Sequence, residues 1–397
     1  MNHIENLSSR RVLLKQIGAV SGLLLAGSTG ACSKDVSGNP FIQADDLIRQ
    51  AVQRGDMPGT VLAVGHGGKI VHRDVFGYRS LVPEHAPMEW DTVFDMASLT
   101  KVVVTALAIM QLWEQKYFLL DDPVSRFLPD FGVNGKEKIT IRQLLTHYSG
   151  LPPDVELSDT WSGKEEGVRR AFSAVPVEKV DTKFIYSDIN FIVLGLLVEH
   201  FSRLSLKDYA HRYIFNPLKM NQSTFLPLSG ENPDAIVMSI APTQRLEDGT
   251  LLRGVVHDPT SRRMGGVTGH AGLFSDAHDM ALYAQALLDR RAGRPSDFPL
   301  ARETVVMMTT PQSPAGAKDV RGLGWDIDSH YSTPRGDVFP VGSFGHTGFT
   351  GTSVWMDPAS DSWVVLLTNR VHPSGGGGKQ IVRLRHDVAT IVARALL

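Results

Sequence analysis

The sequence predicts a mixed α/β fold: an antiparallel sheet built from both chain ends, flanked by helices, with a mostly helical subdomain inserted between its strands. Three observations carry this prediction. Strand-like runs lie near the start ("TVLAVGH", "KIVHRDVFGY") and again near the end ("TSVWMD", "SWVVLLTN"). Between them, from Asp121 to about Leu288, the pattern is mostly helical with long polar interruptions, and the chain closes on the amphipathic "GKQIVRLRHDVATIVARALL".

At the N-terminus, Arg10, Arg11 and Lys15 precede an apolar run from Ile17 to Gly27, and small residues Ser28 to Ala31 lead to Cys32. This is the pattern of an export signal over residues 1–31, too short to span a bilayer as a mature helix. "SSRRVLLK" resembles the twin-arginine export motif, which implies export of an already folded protein. Cys32 sits where a bacterial lipoprotein is cleaved and acylated, although Thr29 stands where that signal usually has leucine. The expectation is a periplasmic or cell-envelope protein with a membrane tether through a lipidated Cys32, followed by a linker over residues 32–40. One cysteine permits no internal disulfide, and its place at the signal junction makes it a poor nucleophile.

Residues 41–397 then read as one domain. Ile42 to Arg54 has helical spacing and ends at Gly55. Gly67-Gly68 between the first two strand patterns is a hairpin signal. Leu99 to Lys116 reads as a buried helix. A helical insert is expected over about 119–290, interrupted by loops such as "THYSGLPPDVELSDTWSGKEEG" and "GVVHDPTSRRMGGVTGHAG", the kind of segment that often lines a site. Pro358 to Asp361 joins the last two strands before the C-terminal helix.

With 397 residues, 42% of them hydrophobic, the chain can bury a large core. Forty basic and 42 acidic residues balance to a formal charge of −2 without a Lys/Arg stripe, which excludes nucleic acid as a partner. No His-Glu-x-x-His or cysteine cluster points to a metal, and no cofactor is expected.

The chemistry concentrates in three places. Ser98 and Lys101 share a helix face at i, i+3 spacing. A serine hydroxyl is a weak nucleophile until a base takes its proton, and a lysine can be that base if burial in the apolar run Val102 to Met110 leaves it neutral. Tyr186, in "YSD" ahead of another apolar helix, can relay protons when held near a lysine. His346-Thr347-Gly348 opens a strand where small residues let a substrate approach the backbone.

In this order, Ser-x-x-Lys, Tyr-x-Asp and His-Thr-Gly resemble the three motifs of the penicillin-recognising serine hydrolases, which include class C β-lactamases, D,D-carboxypeptidases and carboxylesterases. "LLTHYSGL" and "GGVTGHAGLFS" also look like segments of that family. The resemblance implies an acyl-enzyme on Ser98, with Lys101 as base or proton relay and Tyr186 serving deacylation and leaving-group protonation. It implies an oxyanion hole from the N–H groups of Ser98 and Phe349, and substrate contacts from Asp188, His346, Thr347 and Gly348. Asp188 replaces the usual asparagine; its carboxylate cannot donate a hydrogen bond and would raise the pKa of a nearby lysine. His346 replaces the lysine of the usual motif, so a substrate carboxylate meets a weaker partner. The activity so implied is D,D-carboxypeptidase-like on cell-wall peptides or weakly β-lactamase-like. The alternatives are a carboxylesterase and a catalytically silent protein that binds cell-wall fragments. An α/β-hydrolase would need a Gly-x-Ser-x-Gly elbow; Ser149 comes nearest and lacks the first glycine.

Overall fold

The helical spacing after Pro40 produces α1 (Ile42–Gln53), which buries Ala44, Ile48 and Ala51 and is followed by Gly55 with a φ of 78°. β1 (Gly59–His66) and β2 (Lys69–Ser80) follow as the expected hairpin. Gly67 and Gly68 turn it with φ values of 58° and 80°, the left-handed conformations a tight hairpin turn requires. The computed structural model describes residues 38–228 and 238–397, so the expected export signal and Cys32 lie outside the described residues.

After the edge strand β3 (Ala86–Pro87), three short strands form a separate sheet: β4 (Phe94–Asp95), β5 (Thr224–Phe225) and β6 (Leu273–Ser275). β7 (Val320–Arg321), β8 (Asp326–Asp328), β9 (Phe344–Thr347), β10 (Ser353–Asp357) and β11 (Ser362–Thr368) complete the main sheet. Its eight strands run antiparallel in the order β3-β2-β1-β11-β10-β9-β8-β7, so the N-terminal hairpin docks on the last strand, with Val64 opposite Val364. Both ends of the chain build one sheet, as the sequence predicts.

Helices cover both faces of this sheet. Val61, Ala63, Val365 and Leu367 point into the main core, while Leu62, Val64, Val364 and Leu366 point to α1 and the C-terminal helix. An antiparallel sheet commonly leaves one face wet and alternates apolar with polar residues. At the central strands β1 and β11 both faces are dry, which is why "TVLAV" and "WVVLL" are continuous apolar runs.

The helix expected over Leu99 to Lys116 begins at Leu99, but Lys101–Ala106 is wound as a π-helix before α2 (Leu107–Glu114) continues. The hydroxyl of Tyr283 donates to the carbonyl of Val102 at 2.9 Å, a side-chain insertion of the kind that opens a helical ladder. The insert contains α3 (Ile141–Thr146), α4 (Asp188–Ser202) and α5 (Ala277–Ala292), and also β5 and β6, whose two or three residues are too short to show a period in the sequence. The final helix, α6 (Gly378–Leu396), packs Ile381, Leu384 and Val388 against the sheet.

One close approach locks β1 to β11. Gly65 pairs with Trp363, whose indole N–H donates to Gln285 of α5 at 2.9 Å. A Cβ at position 65 would lie 2.0 Å from that indole. Gly65→Ala is therefore expected to destabilise the protein by about 1–3 kcal/mol, read as a lower midpoint in urea denaturation. An unchanged midpoint would mean that the indole swings aside freely.

Candidate active site

The segment that carries Ser98 is held from three directions. Ala97, just before it, adopts φ 46°, a left-handed conformation that non-glycine residues hold only when their surroundings impose it. Its N–H donates to the Asp95 side chain at 2.9 Å, and the same carboxyl accepts the N–H of His257 at 2.6 Å. Burial pushes the Asp95 carboxyl up to about 6. Thr350 Oγ1 donates to the Asp95 carbonyl at 2.7 Å and Thr352 Oγ1 to the Met96 carbonyl at 3.1 Å. The end of β4 is thereby stitched to the turn after β9.

Ser98 and Lys101 meet as their spacing predicts. Lys101 is fully buried, and its Nζ donates to Ser98 Oγ at 3.0 Å and to the His270 carbonyl at 2.9 Å. It also forms an ion pair with Asp188 Oδ1 at 2.6 Å and lies 5.1 Å from the centre of the Tyr186 ring. Burial alone pushes Lys101 down, but the Asp188 carboxylate and the Tyr186 hydroxyl outweigh it and hold the lysine above its ordinary range. Of the two opposing expectations for Lys101, burial towards a neutral amine and Asp188 towards a raised pKa, the second prevails: the ammonium is paired with a carboxylate.

Tyr186 precedes α4, and its hydroxyl faces the side chains of Ser98 and Lys101. Burial raises its pKa, so the phenol keeps its proton. The ring is stacked at 4.4 Å and 30° on His147, a residue that the sequence reading placed within a family segment without a role. His147 sits at the C-cap of α3 with φ 61°. Its Nδ1 accepts from the Ser187 N–H at 3.1 Å and faces the Asn190 amide at 3.2 Å, which puts the ring proton on Nε2. Burial drives its pKa well down, so the ring under Tyr186 is neutral. Ser149 donates to Asn190 Oδ1 at 2.7 Å and is a structural link, not a second nucleophile.

On the far side, the end of β9 presents His346 and Thr347, and the turn after it Gly348 and Phe349. His346 is 4% exposed and its Nδ1 pairs with the Thr347 carbonyl at 2.9 Å. Burial, and then the charge of Arg321, drive its pKa well down, so it is a neutral imidazole. Among the described residues, the N–H groups of Ser98 and Phe349 have no hydrogen-bond partner, as donors reserved for an oxyanion require. Ser98, Tyr186, Asp188, His346 and Phe349 line one cavity of about 820 Å³.

Further layers were not legible as site residues. His270, whose carbonyl receives Lys101, pairs through Nε2 with Asp258 Oδ1 at 2.9 Å. Burial lowers the His270 pKa, but Asp258 prevails and raises it, making a second charged pair behind the first. Asp154, close to both, is pushed up to about 6 by burial. The signal for His270 lay within "GGVTGHAGLFS", yet nothing in its spacing tied it to Lys101. Among the described residues no cluster of histidine, cysteine and carboxylate side chains is placed to hold a metal ion.

A sequence-family model for beta-lactamase matches residues 44–387. The chain belongs to the beta-lactamase family. Within it, a Bacillus subtilis (strain 168) protein named N-acetylmuramyl-L-alanine amidase is 30% identical over 365 residues, covering 83% of this chain and 81% of that protein. A Salmonella schwarzengrund (strain CVM19633) protein, named as a candidate D-alanyl-D-alanine carboxypeptidase, is 31% identical over 83% of this chain and 82% of its own. Two solved structures share the fold. EstCE1, titled a hydrolase with promiscuous acyltransferase activity, has a TM-score of 0.68 at 23% identity over 88% of this chain and 98% of that one. A class C beta-lactamase from Rhodobacter sphaeroides has 0.67 at 20% identity over 89% and 99%. As a beta-lactamase-family serine hydrolase, the chain carries that fold with Asp188 facing Lys101.

That ion pair yields a pH prediction. If the Ser98 proton must pass to an unprotonated Lys101, activity rises with pH as the ammonium loses its proton. Asp188 raises the Lys101 pKa, so Asp188→Asn should lower it and move the acid limb of kcat/KM to lower pH. The pH–rate profile of both proteins on p-nitrophenyl acetate checks this; an unmoved limb would mean that Asp188 does not set the protonation of the lysine.

Proposed function

We propose that this protein is a D,D-carboxypeptidase-like hydrolase of cell-wall peptides, working through an acyl-enzyme on Ser98. The observation that carries the proposal is the convergence on one serine oxygen: Lys101 Nζ at 3.0 Å, the Tyr186 hydroxyl, and two unpartnered N–H groups beside a cavity able to hold a peptide end. In the proposed sequence Lys101, once its ammonium has lost its proton to solvent, takes the proton of Ser98 as a neutral amine 3.0 Å away. Ser98 Oγ bonds to the substrate carbonyl carbon, and the carbonyl electrons move to an oxygen held by the N–H groups of Ser98 and Phe349. Collapse breaks the C–N bond as the leaving amine is protonated through Tyr186. Water then releases the acyl group by the reverse proton route.

The names of the curated relatives favour this substrate class, since each refers to an amide bond of peptidoglycan or its fragments. Asp188 and His346 argue against efficient β-lactam turnover. The first offers a carboxylate where an amide donor serves, and the second is neutral where an ammonium would bind a substrate carboxylate. Loss of one charged contact typically costs about 1.5–3 kcal/mol, or about ten- to a hundredfold in rate.

The test is a substrate panel with intact-mass detection of the acyl-enzyme. Release of D-alanine from a peptide ending in D-Ala-D-Ala is expected, with slow nitrocefin hydrolysis, and Ser98→Ala should abolish covalent labelling by a fluorescent penicillin or a fluorophosphonate. Ester hydrolysis without D-alanine release would favour the carboxylesterase reading, and cleavage of N-acetylmuramyl-L-alanine would favour the amidase reading. Labelling that persists in Ser98→Ala would overturn the assignment of the nucleophile.

We further propose that the Arg10-Arg11 signal exports the protein and that Cys32 tethers it to the cell envelope. Fractionation should find the natural protein with membranes and Cys32→Ala in the soluble exported fraction. A full-length cytoplasmic product would refute both signals.

A further inference from the structure

Arg385 lies on α6, outside every motif of the sequence, with 6% of its surface exposed. Among the described residues no carboxylate pairs with it, and its Nε has no partner. A buried guanidinium without a counter-ion is costly. That cost shows in its pKa, pushed down to about 9 by burial and by nearby Arg370. Such a residue is poorly explained as a stabilising one.

What Arg385 does contact is specific. Its Nη2 donates to the carbonyl of Gly348 at 2.8 Å and to that of Thr352 at 2.7 Å. These are the two ends of the turn after β9, which is closed by the Gly348 N–H on the Thr352 carbonyl at 2.7 Å. The Gly348 carbonyl and the Phe349 N–H belong to the same peptide unit, which is not among the cis bonds of the chain. In a trans peptide these two groups point in opposite directions. Pinning the carbonyl on one side therefore fixes the N–H on the other. The turn also packs on the segment before the nucleophile: a Cβ on Gly348 would lie 2.6 Å from the Met96 carbonyl and 3.4 Å from Ala97 Cβ.

We propose that Arg385 is a positioning residue for the oxyanion hole: by holding the carbonyls of Gly348 and Thr352, its guanidinium aims the Phe349 N–H at the substrate oxygen beside Ser98. The positive charge also polarises the Gly348–Phe349 peptide and strengthens that N–H as a donor. Thr350 and Thr352 fix the same turn to Asp95 and Met96, so the two donors of the hole share one frame. The inference rests on acyl transfer at Ser98 and not on the peptide substrate proposed above, so an activated ester is a sufficient probe.

The experiment compares the natural protein with Arg385→Met and Arg385→Lys on p-nitrophenyl acetate, with phenylboronic acid as a mimic of the tetrahedral intermediate. Loss of an oxyanion donor costs about a hundred- to a thousandfold in kcat, and a donor left in place but poorly aimed should cost about ten- to a hundredfold. Arg385→Met is expected to lower kcat by that factor with KM changed less than threefold, and to weaken phenylboronic acid by a matching factor. Arg385→Lys, or added methylguanidine, should restore part of both. Boronate affinity that holds while kcat falls, or kcat and KM that fall together with the thermal midpoint and without rescue, would overturn the proposal. If Arg385→Met does not fold, Arg385→Lys alone decides it, by whether kcat and boronate affinity fall in step at constant KM. A natural protein that neither hydrolyses the ester nor binds the boronate would instead defeat acyl transfer at Ser98, and this inference with it.

Discussion

The buried ammonium of Lys101 is the constraint around which the rest of the site is arranged. A lysine with no solvent contact needs an acceptor for each of its protons and a counter-charge, or it gives up its proton. Ser98 Oγ, the His270 carbonyl and the Asp188 carboxylate supply these, from the start of the nucleophile helix, from the segment leading into β6 and from the first turn of α4. Three distant parts of the chain are thereby required to meet at one nitrogen. Removing one partner of a buried pair typically costs about 3–5 kcal/mol; the figure is lower here because the Asp188 side chain remains 22% exposed. That partial exposure also leaves the carboxylate within reach of substrate and water.

Asp188 and His346 shift the electrostatics of the site in the same sense, each making it less positive than asparagine and lysine would. The carboxylate adds a negative charge that holds Lys101 as a cation, while the imidazole, buried and facing Arg321, contributes none. A site with asparagine and lysine at these positions would carry two more positive charges at full ionisation. The fold accommodates either arrangement because both residues sit at the ends of elements, Asp188 at the head of α4 and His346 near the end of β9, where a substitution changes the cavity wall without disturbing a core layer.

Support for the catalytic atoms comes from residues that carry no chemistry of their own. His147 stacks under Tyr186 as a neutral ring because its Nδ1 is committed to Ser187 and Asn190. Asp95 holds Ala97 in a left-handed conformation, and Thr350 and Thr352 bind the β9 turn to the segment before the nucleophile. Each fixes backbone direction, which is what an oxyanion hole made of main-chain N–H groups needs.

Much of this protein was legible in its sequence, for local reasons. Gly67-Gly68 reports a turn, apolar runs near both chain ends report strands, and Ser98 with Lys101 reports a shared helix face, because each depends on neighbours a few residues apart. The three motifs also named the family through their order. What local pattern could not carry was the state of Lys101. Burial argued for a neutral amine and the aspartate of the second motif for a raised pKa, and only the tertiary structure decided between them, by placing that carboxylate, 87 positions along the chain, 2.6 Å from the nitrogen. The same holds for the π-turn opened by Tyr283, for His270 and Asp258 behind the lysine, and for Arg385, which reaches the β9 turn across 37 and 33 residues. Sequence determines which groups are present and which near neighbours share a face; charge state and donor direction depend on distances between remote segments, and those exist only once the chain has folded.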